Sequence, residues 1–166
     1  MSLEEQVAAL QHQVEELQAR EAIRHTMAQY ARCIDEDRFD ELQELFTEDT
    51  TVQNFPWNQR PAEGKARVMK SFRNYRQTFD HPRRYITNEQ IRVHGDTASA
   101  DACWSVTQGY QGQSWYGAGT YEWGFRKEGG QWKISSVIIR IETMTTLEQG
   151  WGAPDGPISP LPRRQS

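Results

Sequence analysis

The sequence predicts an α+β fold: helices come first, followed by a curved, mostly antiparallel sheet that they cover on one face. Three observations carry this. Apolar residues in the first half recur at steps of three and four. Those in the second half alternate with polar ones. Glycine-bearing turns separate the alternating runs.

Leu3, Val7, Leu10, Val14 and Leu17 alternate steps of four and three, a coiled-coil-like stripe, with Glu, Gln and Ala filling the other faces. Ile23, Met27, Tyr30 and Ile34 continue it after a step of six, so the apolar face rotates there. No glycine or proline interrupts the run before Asp35. One long helix with two jobs is expected. Residues 1–20 form an extension that packs on a partner subunit or another element, and the remainder packs on the sheet. A short helix is expected from Phe39 to Phe46, a strand from Thr50 to Phe55, and a loop from Pro56 to Gly64. A third helix, Lys65 to Phe79, places Val68, Phe72, Tyr75 and Phe79 on one side.

Four strands are predicted after it: Arg84–Val93, Thr97–Tyr110, Trp115–Arg126 and Trp132–Thr143. Turns at His94-Gly95-Asp96 and Glu128-Gly129-Gly130 separate two of the pairs. One face of the second carries Ala98, Ala100, Ala102, Trp104, Val106 and Tyr110. One face of the third carries Trp115, Tyr121, Trp123 and Phe125, and one face of the fourth Trp132, Ile134, Ile138 and Arg140. The domain is expected to end near residue 145, and the Gly-, Pro- and Ser-rich residues 146–166 read as an extended or flexible tail.

The 166 residues are 25% charged and 36% hydrophobic, the balance of a soluble globular chain. No apolar run approaches a membrane span. The N-terminus is polar and acidic, unlike a signal peptide, so the cytoplasm is the expected location. A net charge of −4 and scattered arginines argue against nucleic acid as a partner. Cys33 and Cys103 are too few for a zinc site or a disulfide framework and read as reduced, partly buried side chains.

Three stretches stand together. The first runs from Glu21-Ala22-Ile23-Arg24 through Tyr30-Ala31-Arg32-Cys33-Ile34-Asp35 to Phe39-Asp40-Glu41-Leu42 and Leu45-Phe46. The second is Tyr85-Ile86-Thr87-Asn88 with the turn Gly95-Asp96-Thr97-Ala98. The third is Gly130-Gln131-Trp132-Lys133-Ile134 leading to Ile139-Arg140-Ile141. Order and spacing resemble the SnoaL-like branch of the nuclear transport factor 2-like superfamily, up to about Thr145. Within it the chain is most similar to the bile acid 7α-dehydratases and, more distantly, to scytalone dehydratase. The resemblance implies a cavity that removes water from ring substrates without metal or organic cofactor, in a homo-oligomer, trimer or dimer. It also implies a site built from a Tyr and an Asp of the first helix, a His opening the strand after the third helix, an acidic or His group on the next strand, and sometimes an Arg on the last. Tyr30, Asp35 and Arg140 match. The His position falls on Arg84 and the acidic one near Val106, so the usual general base is missing.

Each candidate has a functional and a structural reading. Tyr30 is an acid or oxyanion donor, or a core aromatic bonded to backbone. Asp35 is a general base raised by an apolar cavity, or a solvated member of the cluster Asp35-Glu36-Asp37. Arg140, on an apolar strand face, anchors a substrate's polar group or forms an ion pair with Asp35 or Glu142. Arg84 binds an anion or stabilises an enolate, or is a surface residue beside Arg83. His81, ahead of Pro82, is the best placed histidine for a base near the mouth, or is a plain loop residue; His25 points elsewhere around the helix and His94 sits in an exposed tight turn. Trp57 in the mouth loop, Trp104, Phe46 and Tyr121 are the expected substrate-binding aromatics, against plain core packing.

The resulting expectation is a cofactor-independent lyase or isomerase, dehydratase first, acting on a hydrophobic cyclic or polycyclic molecule by proton transfer next to a carbonyl. A ligand-binding module without catalysis, or a polyketide-cyclase-like enzyme of the same fold, are the alternatives.

Overall fold

The computed structural model describes residues 1–58 and 60–152. α1 runs from Leu3 to Asp35 without a break. Ser2 caps it: the Glu5 backbone N–H donates to Ser2 Oγ at 3.2 Å, and the Ser2 N–H donates to the Glu5 carboxylate at 2.6 Å. This reciprocal capping box satisfies two backbone donors that the first turn leaves without partners. Glu4 and Glu5 in the first turn and Arg32 in the last suit the helix dipole. Every buried side chain of α1 lies at Ile23 or beyond.

α2 is shorter than its sequence pattern, Phe39–Glu44, because Phe46 already opens strand β1 (Phe46–Phe55). The segment expected to be loop contains a two-residue strand, β2 (Ala62–Glu63), paired with β1. α3 (Lys65–Thr78) starts behind Gly64, whose φ of 81° suits glycine. It buries Val68, Met69 and Phe72. The four long strands are β3 (Asp80–His94), β4 (Thr97–Tyr110), β5 (Gln113–Glu128) and β6 (Gln131–Thr146). Residues Gln111-Gly112 and Gly129-Gly130 join them with positive φ at both positions, the tight hairpin geometry that matches strand twist.

The sheet order is β2-β1-β6-β5-β4-β3, with β1 parallel to β6 and every other pair antiparallel. Helices followed by an open, curved, mostly antiparallel sheet is the fold class read from the sequence. Two bulges interrupt β6 against β5, one between Gly124 and Phe125 and one between Ala118 and Gly119. The first inserts Ser135 and reverses which side chains face inward. Trp132 and Ile134 are buried before it, and Val137 and Ile141 after it. The expected face joining Ile134, Ile138 and Arg140 therefore does not exist. The chain also stays paired longer than expected: Thr145 and Thr146, assigned to the border of a tail, are buried on β6. The rest of that predicted tail beyond residue 152 lies outside the described residues. Cys33 is buried as expected, but Cys103 is exposed on the outer side of β4.

Candidate active site

α1 and α3 close over the inner face of the sheet and enclose a cavity of about 90 Å³. Its apolar wall consists of Phe72 from α3, Trp104 and Val106 from β4, and Ile139, Ile141 and Met144 from β6, with Trp57 at the rim. Its polar groups are Tyr30 from α1, Tyr75 and Ser71 from α3, Asn54 from β1, Arg84 from β3, Gln108 from β4 and Tyr121 from β5.

Strand register explains why these residues meet. Arg84 is paired with Val106 and Ile86 with Trp104, so the inward positions of β3 and β4 lie side by side. Trp104 and Val106 in turn lie opposite Gly119 and Gly117 of β5. A side chain at Gly119 would collide with the Arg140 backbone carbonyl, so only glycine fits there, and one at Gly117 would have to displace the end of the Met144 side chain. The Trp104 indole N–H donates to the carbonyls of Thr120 and Arg140, each at 3.2 Å. Its ring is thereby fixed as a wall.

Arg84 is the charge at the heart of the site. Its guanidinium lies over the Tyr75 ring, 5.2 Å from the centroid. Behind it sits Asp35, each side chain only 9% exposed. Asp35 Oδ2 accepts the Arg84 backbone N–H at 2.7 Å and Oδ1 accepts the guanidinium at 3.4 Å. β3 is an edge strand, so the carboxylate satisfies a backbone donor that no neighbouring strand reaches. Burial opposes the Arg84 charge, but the phenols of Tyr75, Tyr121 and Tyr30 and the Asp35 carboxylate outweigh it and hold the guanidinium above its ordinary value. Burial pushes the Asp35 carboxyl up, and the two Arg84 contacts only partly offset it.

Three phenols surround this cation. The Tyr30 ring contacts the rings of Trp123 at 4.8 Å, Phe72 at 5.6 Å and Tyr121 at 6.1 Å. Tyr30 and Tyr121 stand edge to face, and both phenols lie close enough to Arg84 to interact with it electrostatically. Tyr75 donates to Gln108 Oε1, and Gln108 Nε2 in turn donates to the Met144 sulfur. Burial raises the pKa of all three phenols, so each stays a neutral donor at neutral pH. Among the described residues, neither a carboxylate nor an imidazole lines the cavity. Among the described residues no group of three His, Cys, Asp or Glu side chains is arranged to hold a metal.

The candidates read from the sequence divide accordingly. Tyr30, Arg84, Trp104, Tyr121 and Trp57 lie on the cavity, Trp57 with 39% of its surface exposed. Asp35 does not: it lies on an outer groove between α1 and β3, behind the guanidinium. Arg140 points to the opposite face of the sheet, where it pairs with Glu122 at 2.6 Å and covers the Phe55 ring. The Ser135 bulge, invisible to strict alternation, put it there. Phe46 is fully buried beneath Tyr30 and Phe72, in core packing rather than on the cavity. His81 is exposed on the opening turn of β3 at a φ of 48° and does not reach the cavity.

Gln108 and Tyr75 went unseen as site residues. Gln108 lies two positions beyond Val106 on the inward face of β4 and is 5% exposed. A polar side chain at an inward register position was the available signal. Tyr75 was counted within the apolar stripe of α3, where its hydroxyl carried no mark.

The model of the SnoaL-like domain family matches residues 15–138. This chain belongs to the SnoaL-like domain family. Solved structures agree on the fold. A protein of Novosphingobium aromaticivorans DSM 12444, provisionally assigned as a scytalone dehydratase, superposes with a TM-score of 0.72 at 24% identity, over 78% of this chain and 88% of that one. An NTF2-like protein of cystatin-like fold from Novosphingobium aromaticivorans reaches 0.66 at 23% identity, over 80% and 87%. The hexachlorocyclohexane dehydrochlorinase LinA-type3 of Novosphingobium barchaimii LL02 reaches 0.75 at 18% identity, over 89% and 99%. No curated protein matches the SnoaL-like chain in sequence. None of its helices among the described residues is long and apolar enough to cross a membrane.

Proposed function

We propose that this SnoaL-like protein is a cofactor-independent lyase that eliminates water, or a comparable small leaving group, from a single-ring substrate. One observation carries the reading: a fixed guanidinium and three neutral phenols line a cavity whose remaining wall is mainly apolar. Donors already in place in a low-dielectric site stabilise charge as it develops on an oxygen, without reorganising at the moment of reaction. Arg84 with Tyr121 would hold the carbonyl oxygen of a β-hydroxy ketone, so that its electrons gather there as the α-proton leaves. The Tyr30 hydroxyl would protonate the departing hydroxyl. With no carboxylate or imidazole on the cavity wall among the described residues, the α-proton would pass to water at the Trp57 rim. A missing positioned base costs a factor of ~10²–10⁴ in rate, so modest turnover is expected. Fold neighbours named for loss of water or of hydrogen chloride support an elimination.

Size supports a small substrate. An empty apolar cavity of about 150 Å³ accepts one benzene. The present space of about 90 Å³ is smaller than that, so even one ring needs the wall to give a little, and one ring is the upper bound without a larger opening. A polycyclic molecule would require the Trp57 loop to open.

The missing base equally favours a second reading, a module that binds a small anionic or enolic ring without turning it over. A panel of cyclic β-hydroxy ketones, followed by ultraviolet absorbance of the enone, separates the two. Enone formation that falls at least 100-fold in Tyr30→Phe supports the lyase. Saturable binding without enone from any member replaces it with the binding module.

A further inference from the structure

The first five turns of α1 leave Leu3, Val7, Leu10, Val14 and Leu17 exposed, between 45% and 76% each. Two features decide what covers them. The first is direction. At about 100° of rotation per residue, this stripe points about 150° away from Ile23, Met27, Tyr30 and Ile34, which bury α1 against its own sheet. The domain cannot fold back on the stripe, and a second body can reach it unobstructed. The second is composition. In heptad terms Val7 and Val14 take the a positions and Leu3, Leu10 and Leu17 the d positions. Branched Val at a with Leu at d is the core that favours two parallel strands. The flanking g and e positions are Gln6, Gln13 and Arg20, and Glu4, Gln11 and Gln18. In a parallel pair Gln6 faces Gln11 of the second copy and Gln13 faces Gln18, so no like charges oppose one another. Charges at Glu15 and Glu16 stay on the outer side, where Glu16 already pairs with Arg20.

We propose that residues 3–17 form an in-register parallel two-stranded coiled coil with a second copy of this chain, the two domains hanging on opposite sides of the helix pair. Two heptads hold weakly on their own. Here the helix is continuous with its buried half, so the cost of nucleating it is already met by the domain.

The test uses the full chain carrying Cys103→Ser, which removes the exposed native thiol. Leu17→Cys and Leu3→Cys are made separately, one on a size-tagged chain, and oxidised at tens of micromolar protein. The expected result is covalent dimers of each variant alone, with few mixed 3–17 products when the two are combined. Adding Val7→Asp and Val14→Asp should slow cross-linking at least tenfold while leaving the fold intact, since both positions are exposed. Predominant 3–17 products would show an antiparallel pair and overturn the proposal. So would absence of cross-linking, or cross-linking indifferent to the aspartates.

Discussion

Arg84 on β3 and Arg140 on β6 are both arginines set among alternating apolar residues of a strand, and they meet opposite fates. Arg84 is folded inward, stacked on Tyr75 and backed by Asp35. Arg140 is turned outward onto Glu122, with close to half its side chain in solvent. Neighbouring residues do not explain the contrast, because each arginine has an isoleucine within two residues, Ile86 on β3 and Ile139 and Ile141 on β6. The difference lies in phase. Both strands carry an irregularity ahead of the arginine: the one between Asp80 and Arg83 leaves Arg84 opposite Val106 and facing inward, whereas the Ser135 bulge shifts β6 by one residue and turns Arg140 outward. An inserted residue of no chemical consequence thus decides which cation faces the cavity.

The sharpest way to probe the contrast is to remove the inner cation. Arg84→Met leaves Asp35 in a buried site without its countercharge. Breaking such a pair costs about 3 kcal/mol, which urea unfolding will register. The same change should weaken binding of a ring oxyanion probe, 4-nitrophenolate, at least 100-fold by absorbance titration. Unchanged affinity would remove Arg84 from the site.

Asp35 gives an intermediate effect with a distinctive sign. Burial raises its folded pKa, so the folded chain holds this proton more tightly than the unfolded chain does. Its contribution to stability is full below the ordinary carboxylate value of about 3.9 and is lost as pH rises through the raised folded value. Asp35→Asn cannot titrate, so its stability relative to the parent should improve as pH rises above about 4. Asp49 behaves in the opposite way: Arg126 lowers its carboxyl to about 2, and its contribution disappears as pH falls towards that value. Unfolding free energies between pH 3 and 6 distinguish the two. Parallel slopes in Asp35→Asn and parent would refute the buried-carboxyl account.

The smallest effect belongs to the outer cation. Arg140→Ala breaks an exposed pair and should cost under ~1 kcal/mol, with no change in 4-nitrophenolate affinity. A tenfold loss of binding would instead restore Arg140 to the site and break the comparison.

The same contrast marks how far the sequence could be read. Elements with clean periodicity were legible: α1 to Asp35, α3, and β4 from Thr97 to Tyr110. The positions Tyr30, Arg84, Trp104 and Tyr121 were also legible, through alternation and through a family likeness. What escaped depended on events without a local signature. The bulge at Ser135 moved Arg140, and the turn into β1 took Phe46 out of α2 and into the core. Asp35 ends α1, where a negative charge opposes the helix dipole and needs a compensating partner. The partner proved to be an edge-strand N–H forty-nine residues away. That contact lies in tertiary geometry, out of reach of any window along the chain.

The opposition of Trp104 to Gly119 and of Val106 to Gly117 makes the chamber's capacity a property of two cross-strand couples. Neither couple contributes a hydroxyl or a charge to the oxygen-binding end. Shape and chemistry are therefore encoded at separate addresses. A lineage that changes the β4 side of these couples, with a smaller side chain in place of Trp104 or Val106, would change which molecules enter while inheriting the reactive end intact. In this architecture new substrates are most accessible by resculpting the wall, and the guanidinium with its phenols is the part that travels unchanged.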